Sequence, residues 1–488
     1  MKISLVYPPE YNRNCETFSL PNISIASLAD YLIKNGYKNT TQHDLDILYF
    51  KKIKKIITDE QREKLENKEK AIAYCNDKLT KKEKEEFDFL INIFLKEGKI
   101  VKSDVIGITF SDLRTDFFLA NISALIAKMA KDKWKTKIVI GYRSIPHKLY
   151  IEIMEKYKVF DYAVFSKFGE EPLLKIIEKI KGKNVELINT IEYNNGDIKT
   201  HYNLSNQFPI CPTPYYQKDI LKNYEVEEKR LIKSYYSSPE IVSEIFNGNN
   251  KEIIVPYSFI NTCSGTCAFC ANDPTIPSNC KSVNQVIEEI GKMKESGVTG
   301  IYFINSNFND KYSFAEKLCD EMIKNKFNIL WTDCANFRNM DENLLLKMKK
   351  AGAIKITFGM ETGSNKLLKY IRKAINIEKA EKYLKLSNKL GIFNQIELIG
   401  GLPYEDEIDI RSTSDFIERN AKHIDIYSLN PFYLYSSSPF AIRPKLFGLE
   451  IIETRTKKPN FYKSPEKIGI ISGRFNEKKG LKWEEKDK

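Results

Sequence analysis

The chain has 488 residues, 42% of them apolar and 12% aromatic, which suits a globular protein of two or three domains and excludes a disordered one. Its formal net charge of +12 rests on 77 basic residues, only 12 of them arginine. That is a lysine excess mixed with acids along solvated helix faces, without the arginine clusters that read phosphates and bases. No apolar run reaches the roughly 18–20 residues of a membrane span, and the N-terminal strand lacks the flanks of a signal peptide. A cytoplasmic location is expected, and a nucleic-acid partner is not.

Residues 2–7 (KISLVY) predict a strand ended by prolines, and 23–35 (ISIASLADYLIKN) an apolar-striped helix that stops at Gly36. A charged stretch near 51–97 predicts a helical insertion, read as an exposed hairpin. Short β-rich runs at 105–110, 137–141 and 161–165 then alternate with helical patterns at 117–130, 149–157 and 171–181. That order implies an α/β fold over residues 1–200, a doubly wound Rossmann-like parallel sheet. Residues 201–250 cluster Pro209, Pro212 and Pro214 and end in loop-forming Asn and Gly, as a linking segment does.

From residue 251 to about 440 a second alternation runs through six strand–helix steps. It predicts a partial (β/α)6 barrel of the TIM type, with its chemistry at the C-terminal ends of the strands. Residues 441–488 are left as a C-terminal extension.

Nine cysteines are an odd number for a disulfide framework, which a reducing compartment would not maintain. Cys15, Cys75, Cys211, Cys280, Cys319 and Cys334 are scattered without ligand spacing and read as small buried residues. The other three fall in NTCSGTCAFCAND at 261–273, directly after the first strand of the second alternation. Thiolates are soft ligands that favour zinc or an iron–sulfur cluster. A structural zinc site is closed and needs a fourth ligand, for which Cys280 stands alone beyond two prolines. Three thiolates suit a 4Fe-4S cluster whose last iron stays open to an outside chelator.

Cys263-x-x-x-Cys267-x-Phe269-Cys270 resembles the signature of radical S-adenosylmethionine (radical SAM) enzymes. The resemblance implies that Cys263, Cys267 and Cys270 are the metal ligands and that SAM chelates the open iron. Its cleavage gives methionine and a 5′-deoxyadenosyl radical that abstracts hydrogen from substrate. Three further stretches match in order. IYFINSNFND (301–310) resembles the second-strand segment that meets the SAM amino group, with Asn305, Ser306 and Asn307 where many relatives carry acids. FGMETGS (358–364) resembles the fourth-strand segment, placing Glu361 and Ser364 near the ribose and methionine ends of SAM. NQIELIGGLPYED (394–406) resembles the fifth-strand segment beside the adenine, with Glu397 and Ile399 as contacts and Phe269 packed on the ring. NPFYLYSSSPF (430–440) resembles the sixth-strand exit.

The N-terminal half resembles the cobalamin (B12)-binding domain that precedes the barrel in B12-dependent members, on KISLVYPPE, VIGITFSD, KIVIGYRSIPH and DYAVFSKFGEEPLLKII. It departs from them at Gly141-Tyr142, where relatives carry Gly-Gly, and it lacks the Asp-x-His-x-x-Gly motif of a cobalt-binding histidine. His43, His147, His201 and His423 read as residues filling surface or core niches. Two readings stand open: B12-dependent methyl transfer to an unactivated carbon, and a radical rearrangement, oxidation or coupling with a cobalamin-free first domain. A non-catalytic iron–sulfur or zinc protein is the reading from another class. An external electron donor such as flavodoxin or ferredoxin is implied. The substrate, expected to be a small molecule or peptide, and the catalytic residues are not identified.

Overall fold

The computed structural model describes residues 1–9, 20–109, 118–141, 147–166, 168–194, 196–202, 211, 213–224, 253–261, 263–270, 280–435, 438–453 and 474–486. Cys15, Tyr142, most of 201–250 and the side chain of His147 lie outside them. The described residues fall into two compact units, the first running up to Tyr224 and the second comprising Cys211 and the residues from Ile253 onward.

The first unit is a seven-stranded sheet in the order β2-β1-β3-β4-β5-β6-β7. Its strands are β1 (Ile3–Tyr7), β2 (Thr40–Asp44), β3 (Val105–Thr109), β4 (Lys137–Gly141), β5 (Tyr162–Val164), β6 (Thr190–Asn194) and β7 (Asp197–His201). β1 to β5 are parallel, and β6 and β7 add an antiparallel hairpin at one edge. Alternation along the apolar runs divides two cores. Ile3, Leu5, Val105 and Val139 pack with helices Ile23–Lys34 and Glu170–Ile180, while Val6, Ile106, Ile138 and Ile140 pack with helices Phe118–Trp134 and His147–Tyr157.

The insertion is not an exposed hairpin. Helices Asp59–Glu66, Lys68–Cys75 and Lys81–Glu97 bury Leu65, Ala71, Tyr74, Phe87, Leu90, Ile91 and Phe94 in the second of those cores. The 87, 90, 91, 94 spacing is one apolar helix face, which charge counting over the segment had obscured. β2 (TTQHD) carries no apolar signal. Its buried polar groups are matched one by one: His43 Nδ1 meets Gly98 O at 2.8 Å and Nε2 meets Thr41 Oγ1 at 2.9 Å. Burial pulls the His43 imidazole down to about 4. Gln42 pairs with Tyr215 and Gln217, so part of the segment expected to link the domains lies along β2.

The second unit holds six parallel strands in sequential order. They are β8 (Ile254–Tyr257), β9 (Gly300–Phe303), β10 (Leu330–Ala335), β11 (Ala353–Glu361), β12 (Phe393–Gly400) and β13 (Ile426–Pro431). Each is followed by a helix or turn back to the next, which makes a partial barrel. The helix-facing side is apolar: Trp331 stacks on Phe308 at 4.5 Å, and Phe337 on Phe358 at 4.4 Å. A short antiparallel pair, β14 (Leu449–Glu453) and β15 (Arg474–Glu477), brings Leu449 and Phe475 into a cluster with Leu402, Leu434 and Phe440 of the barrel top.

Beneath β8, Lys281 is wholly buried and pairs with Glu289 at 2.5 Å, and the Tyr257 hydroxyl donates to the same carboxylate at 2.6 Å. Removing one member of a buried pair leaves the other charge uncompensated. Lys281→Ala is expected to lower the unfolding free energy by about 3–5 kcal/mol, measured by urea denaturation. The double replacement Lys281→Met with Glu289→Leu is expected to recover most of that loss.

Candidate active site

The cysteine loop leaves β8 without helix or strand of its own, so its neighbours must hold it. Asn305, just past β9, accepts from the N–H groups of Phe259 and Ile260 at 3.0 and 3.2 Å and donates to Asp333 at 2.7 Å. Asp310 accepts from the Ser264 N–H and hydroxyl, both at 2.9 Å, and Arg338 donates to that hydroxyl at 3.0 Å. Ala268 donates its N–H to Ile371 O at 2.8 Å, and its carbonyl accepts from the Phe440 N–H at 3.0 Å. Four segments distant in sequence thereby fix one loop.

Gly265 lies between two of the thiols. A Cβ there would sit 3.2 Å from Cys263 Sγ and 3.8 Å from Cys267 Sγ. Its own N–H donates to Cys263 Sγ at 3.3 Å, and Asn307 Nδ2 donates to the same sulfur at 3.1 Å. Burial pushes both thiols above their ordinary value. Against that, hydrogen bonds from Gly265 and Asn307 favour the Cys263 thiolate, and Lys373 favours that of Cys267. Among the described residues no three His, Cys, Asp or Glu side chains gather around a point that one ion could occupy.

Opposite the loop, β11 ends in a bulge. The register with β12 slips between Gly359 and Glu361, and Glu361 takes a left-handed φ of 68°. For a non-glycine residue that costs of order 1–3 kcal/mol and persists only where surroundings impose it. The buried Glu361 carboxylate folds back over Gly359 to meet Lys373 Nζ at 2.6 Å. A Cβ on Gly359 would stand 2.7 Å from that carboxylate and 2.8 Å from that ammonium. Burial alone would lower the Lys373 ammonium, but Glu361 and the Cys267 and Cys263 thiols outweigh it and hold it above its usual value. Lys373 also lies 6.0 Å from the centre of the Phe269 ring.

Of the residues singled out in the sequence, Cys263, Cys267, Asn307, Phe269 and Glu361 meet here, Glu361 through Lys373. Phe269 and Ile399 flank one apolar cluster at the barrel top. Asn305 is committed to the β8 exit. Ser364 caps helix Asn365–Tyr370 and donates to Asp409 at 2.5 Å. Ser306 is exposed. Glu397 sits deeper, opposite Gly359. Sequence reading missed Lys373 and Asp310 as parts of the site. Lys373 follows Lys369 and Arg372 in a stretch that resembles a solvated helix end, and only the fold turns it inward.

A family model of the radical SAM superfamily matches residues 257–417. That match covers most of the barrel, which is similar to the radical SAM superfamily. An uncharacterised methyltransferase of Pyrococcus horikoshii is 26% identical over 35% of this chain and 38% of its own length, so the chain spans well under half of that relative. Two structures solved with cobalamin bound share the fold. The radical SAM methyltransferase TsrM of Kitasatospora setae, with cobalamin and a 4Fe-4S cluster bound, has a TM-score of 0.62 at 13% identity, covering 94% of this chain and 82% of that one. OxsB, with aqua-cobalamin and SAM bound, has a TM-score of 0.59 at 16% identity, covering 97% and 64%.

Inside the barrel, burial lowers the Lys355 ammonium to about 7 from an ordinary 10.5, with Cys334 and Glu397 opposing the shift. Between those two values the unfolded chain holds a proton that the native state has released, so this residue makes stability rise with pH. Its contribution approaches about 1.4 kcal/mol per pH unit. Lys355→Met is expected to be more stable than the parent near pH 7, with the difference closing as pH approaches 10.5, measured as urea midpoints across that range.

Proposed function

We propose that this chain is a radical SAM enzyme in which Cys263, Cys267 and Cys270 hold a 4Fe-4S cluster. The observation that carries the reading is the Cys-x-x-x-Cys-x-x-Cys spacing on a loop directly after β8, within the residues that the radical SAM family model matches. That spacing supports a multi-iron cluster over zinc. Asn307 and the Gly265 N–H, by donating to Cys263, stabilise thiolate character on that ligand.

When bound and reduced, the cluster supplies one electron that splits the C5′–S bond of SAM into methionine and a 5′-deoxyadenosyl radical. The chain's own residues bind and orient. Lys373, beside Cys267, is placed to take the SAM carboxylate. Glu361, freed from part of its hold on Lys373, accepts the vicinal ribose hydroxyls. Phe269 and Ile399 offer apolar faces to the adenine. The strained turn at Glu361 and the bare backbone at Gly359 hold the two groups beside the thiol loop, so SAM docking has only to re-partner an existing ion pair.

The fold shared with TsrM and OxsB, both solved with cobalamin bound, supports cobalamin on the first unit, and likeness to the methyltransferase TsrM supports methyl transfer. TsrM has also been solved with tryptophan and a SAM analogue, which supports a small-molecule substrate. The electron is expected from a flavodoxin- or ferredoxin-like donor. Among the described residues no helix is long and apolar enough to cross a membrane.

Anaerobic incubation with iron, sulfide, SAM and reductant is expected to give a broad absorbance in the visible blue and release 5′-deoxyadenosine. Alanine at Cys263, Cys267 or Cys270 is expected to remove that product, and Lys373→Met to weaken SAM binding about tenfold, the worth of one charge-assisted contact. A colourless zinc-filled protein, or a cysteine variant that still forms 5′-deoxyadenosine, overturns the reading. Cobalamin retained through gel filtration supports methyl transfer. Its loss assigns the chemistry to the barrel alone.

A further inference from the structure

Below the proposed SAM contacts the barrel carries charge that reductive cleavage does not use. Strand alternation and register turn Lys355 of β11, Gln395 and Glu397 of β12, Cys334 of β10 and Ser428 and Asn430 of β13 into one interior. Their bonds agree. Gln395 Nε2 donates to Glu397 Oε1 at 2.5 Å and to Ser428 Oγ at 3.1 Å, and Asn430 Nδ2 donates to Glu397 Oε2 at 2.8 Å. Both carboxylate oxygens are thus oriented by neutral amides, while no cation of the described residues lies within ion-pair distance of Glu397.

Cys334 lies on an inward-facing strand position and keeps an exposed surface, while burial pushes its thiol up to about 12, with Glu397, Lys355 and Lys373 within electrostatic reach. Each neighbouring charge has its own account. Lys373 is paired with Glu361. Asp333, buried beside Cys334, is driven strongly toward its neutral form by burial. Lys355 lies two inward-facing positions further down β11, opposite Phe393, in a buried position that disfavours its charge. Glu397 is thus one aligned, half-buried carboxylate with no ion pair among the described residues, its nearest cation being the buried Lys355 ammonium within electrostatic reach, and a closer cation would stabilise it.

We propose that Glu397 is the substrate-recognition residue of this barrel and that it takes a cationic nitrogen, a protonated primary or secondary amine, on a small-molecule or peptide substrate. The word substrate rests on the radical SAM reading. The charge preference itself does not, and it can be measured separately.

Cys334 supplies the probe. On full-length protein anaerobically reconstituted with iron and sulfide, its modification rate is followed by peptide mass analysis at low ionic strength. The reagents are the cationic 2-(trimethylammonium)ethyl and the anionic 2-sulfonatoethyl methanethiosulfonates, each normalised to its rate with 2-mercaptoethanol. The normalised cation-to-anion ratio is expected to be about tenfold, in the range that local charge imposes on encounter rates. It is expected to fall to about one in Glu397→Gln and to persist in Glu397→Asp, following the charge removed or kept. A parental ratio of one or less, or a ratio unchanged in Glu397→Gln, overturns the proposal. Because no turnover is involved, failure here leaves the 5′-deoxyadenosine assay to decide the radical reading on its own.

Discussion

The site depends on the backbone clasp at Ala268. The thiol loop has no helix or strand to set its position, and side-chain contacts alone would let it drift. Ala268 instead bonds through both its N–H and its carbonyl, to Ile371 on one side and Phe440 on the other. Buried backbone groups must be satisfied, so these two bonds are costly to break and directional. Ile371 opens the turn that ends two residues later at Lys373, and Lys373 reaches Glu361. The loop that carries the thiols and the charges that face it are therefore held as one mechanical unit.

Glu361 shows what that unit imposes. A left-handed backbone at a charged residue, directly after a slipped register, is unfavourable in isolation. It persists because the carboxylate gains a buried ammonium partner and because Gly359 leaves the space the pair needs. Strain is concentrated where ligand contacts are assigned, while the helix-facing side of the same strand, with Ile356, Phe358 and Met360 fully buried, is packed without compromise. One strand serves stability on one face and chemistry on the other.

Much of this was legible in the sequence. Hydrophobic periodicity located the six barrel strands, because each has an apolar helix-facing row. The cysteine spacing located the loop, because three soft ligands so close together have few other uses. β2 was illegible for the opposite reason: its buried side chains are polar and are matched by partners such as Gly98, Tyr215 and Gln217, which no local pattern reveals. The insertion was misjudged because its many charges outnumber the apolar stripe of Phe87, Leu90, Ile91 and Phe94 that buries it. Asn305 and Ser364 fell in the right stretches, but their polar atoms are committed to a turn and a helix cap.

By itself the sequence determined which residues can bind soft metals, the order of strands and helices in the barrel, and the family whose motifs these are. Those properties are local, set by side-chain chemistry and by spacing along the chain. Tertiary structure alone decided that Lys373 faces the thiols, that Glu361 folds back to meet it, and that Glu397 lies a layer deeper with its oxygens held by Gln395 and Asn430. Each of these depends on register and on turns between strands distant in sequence, where a slip of one residue would send every side chain to the opposite face.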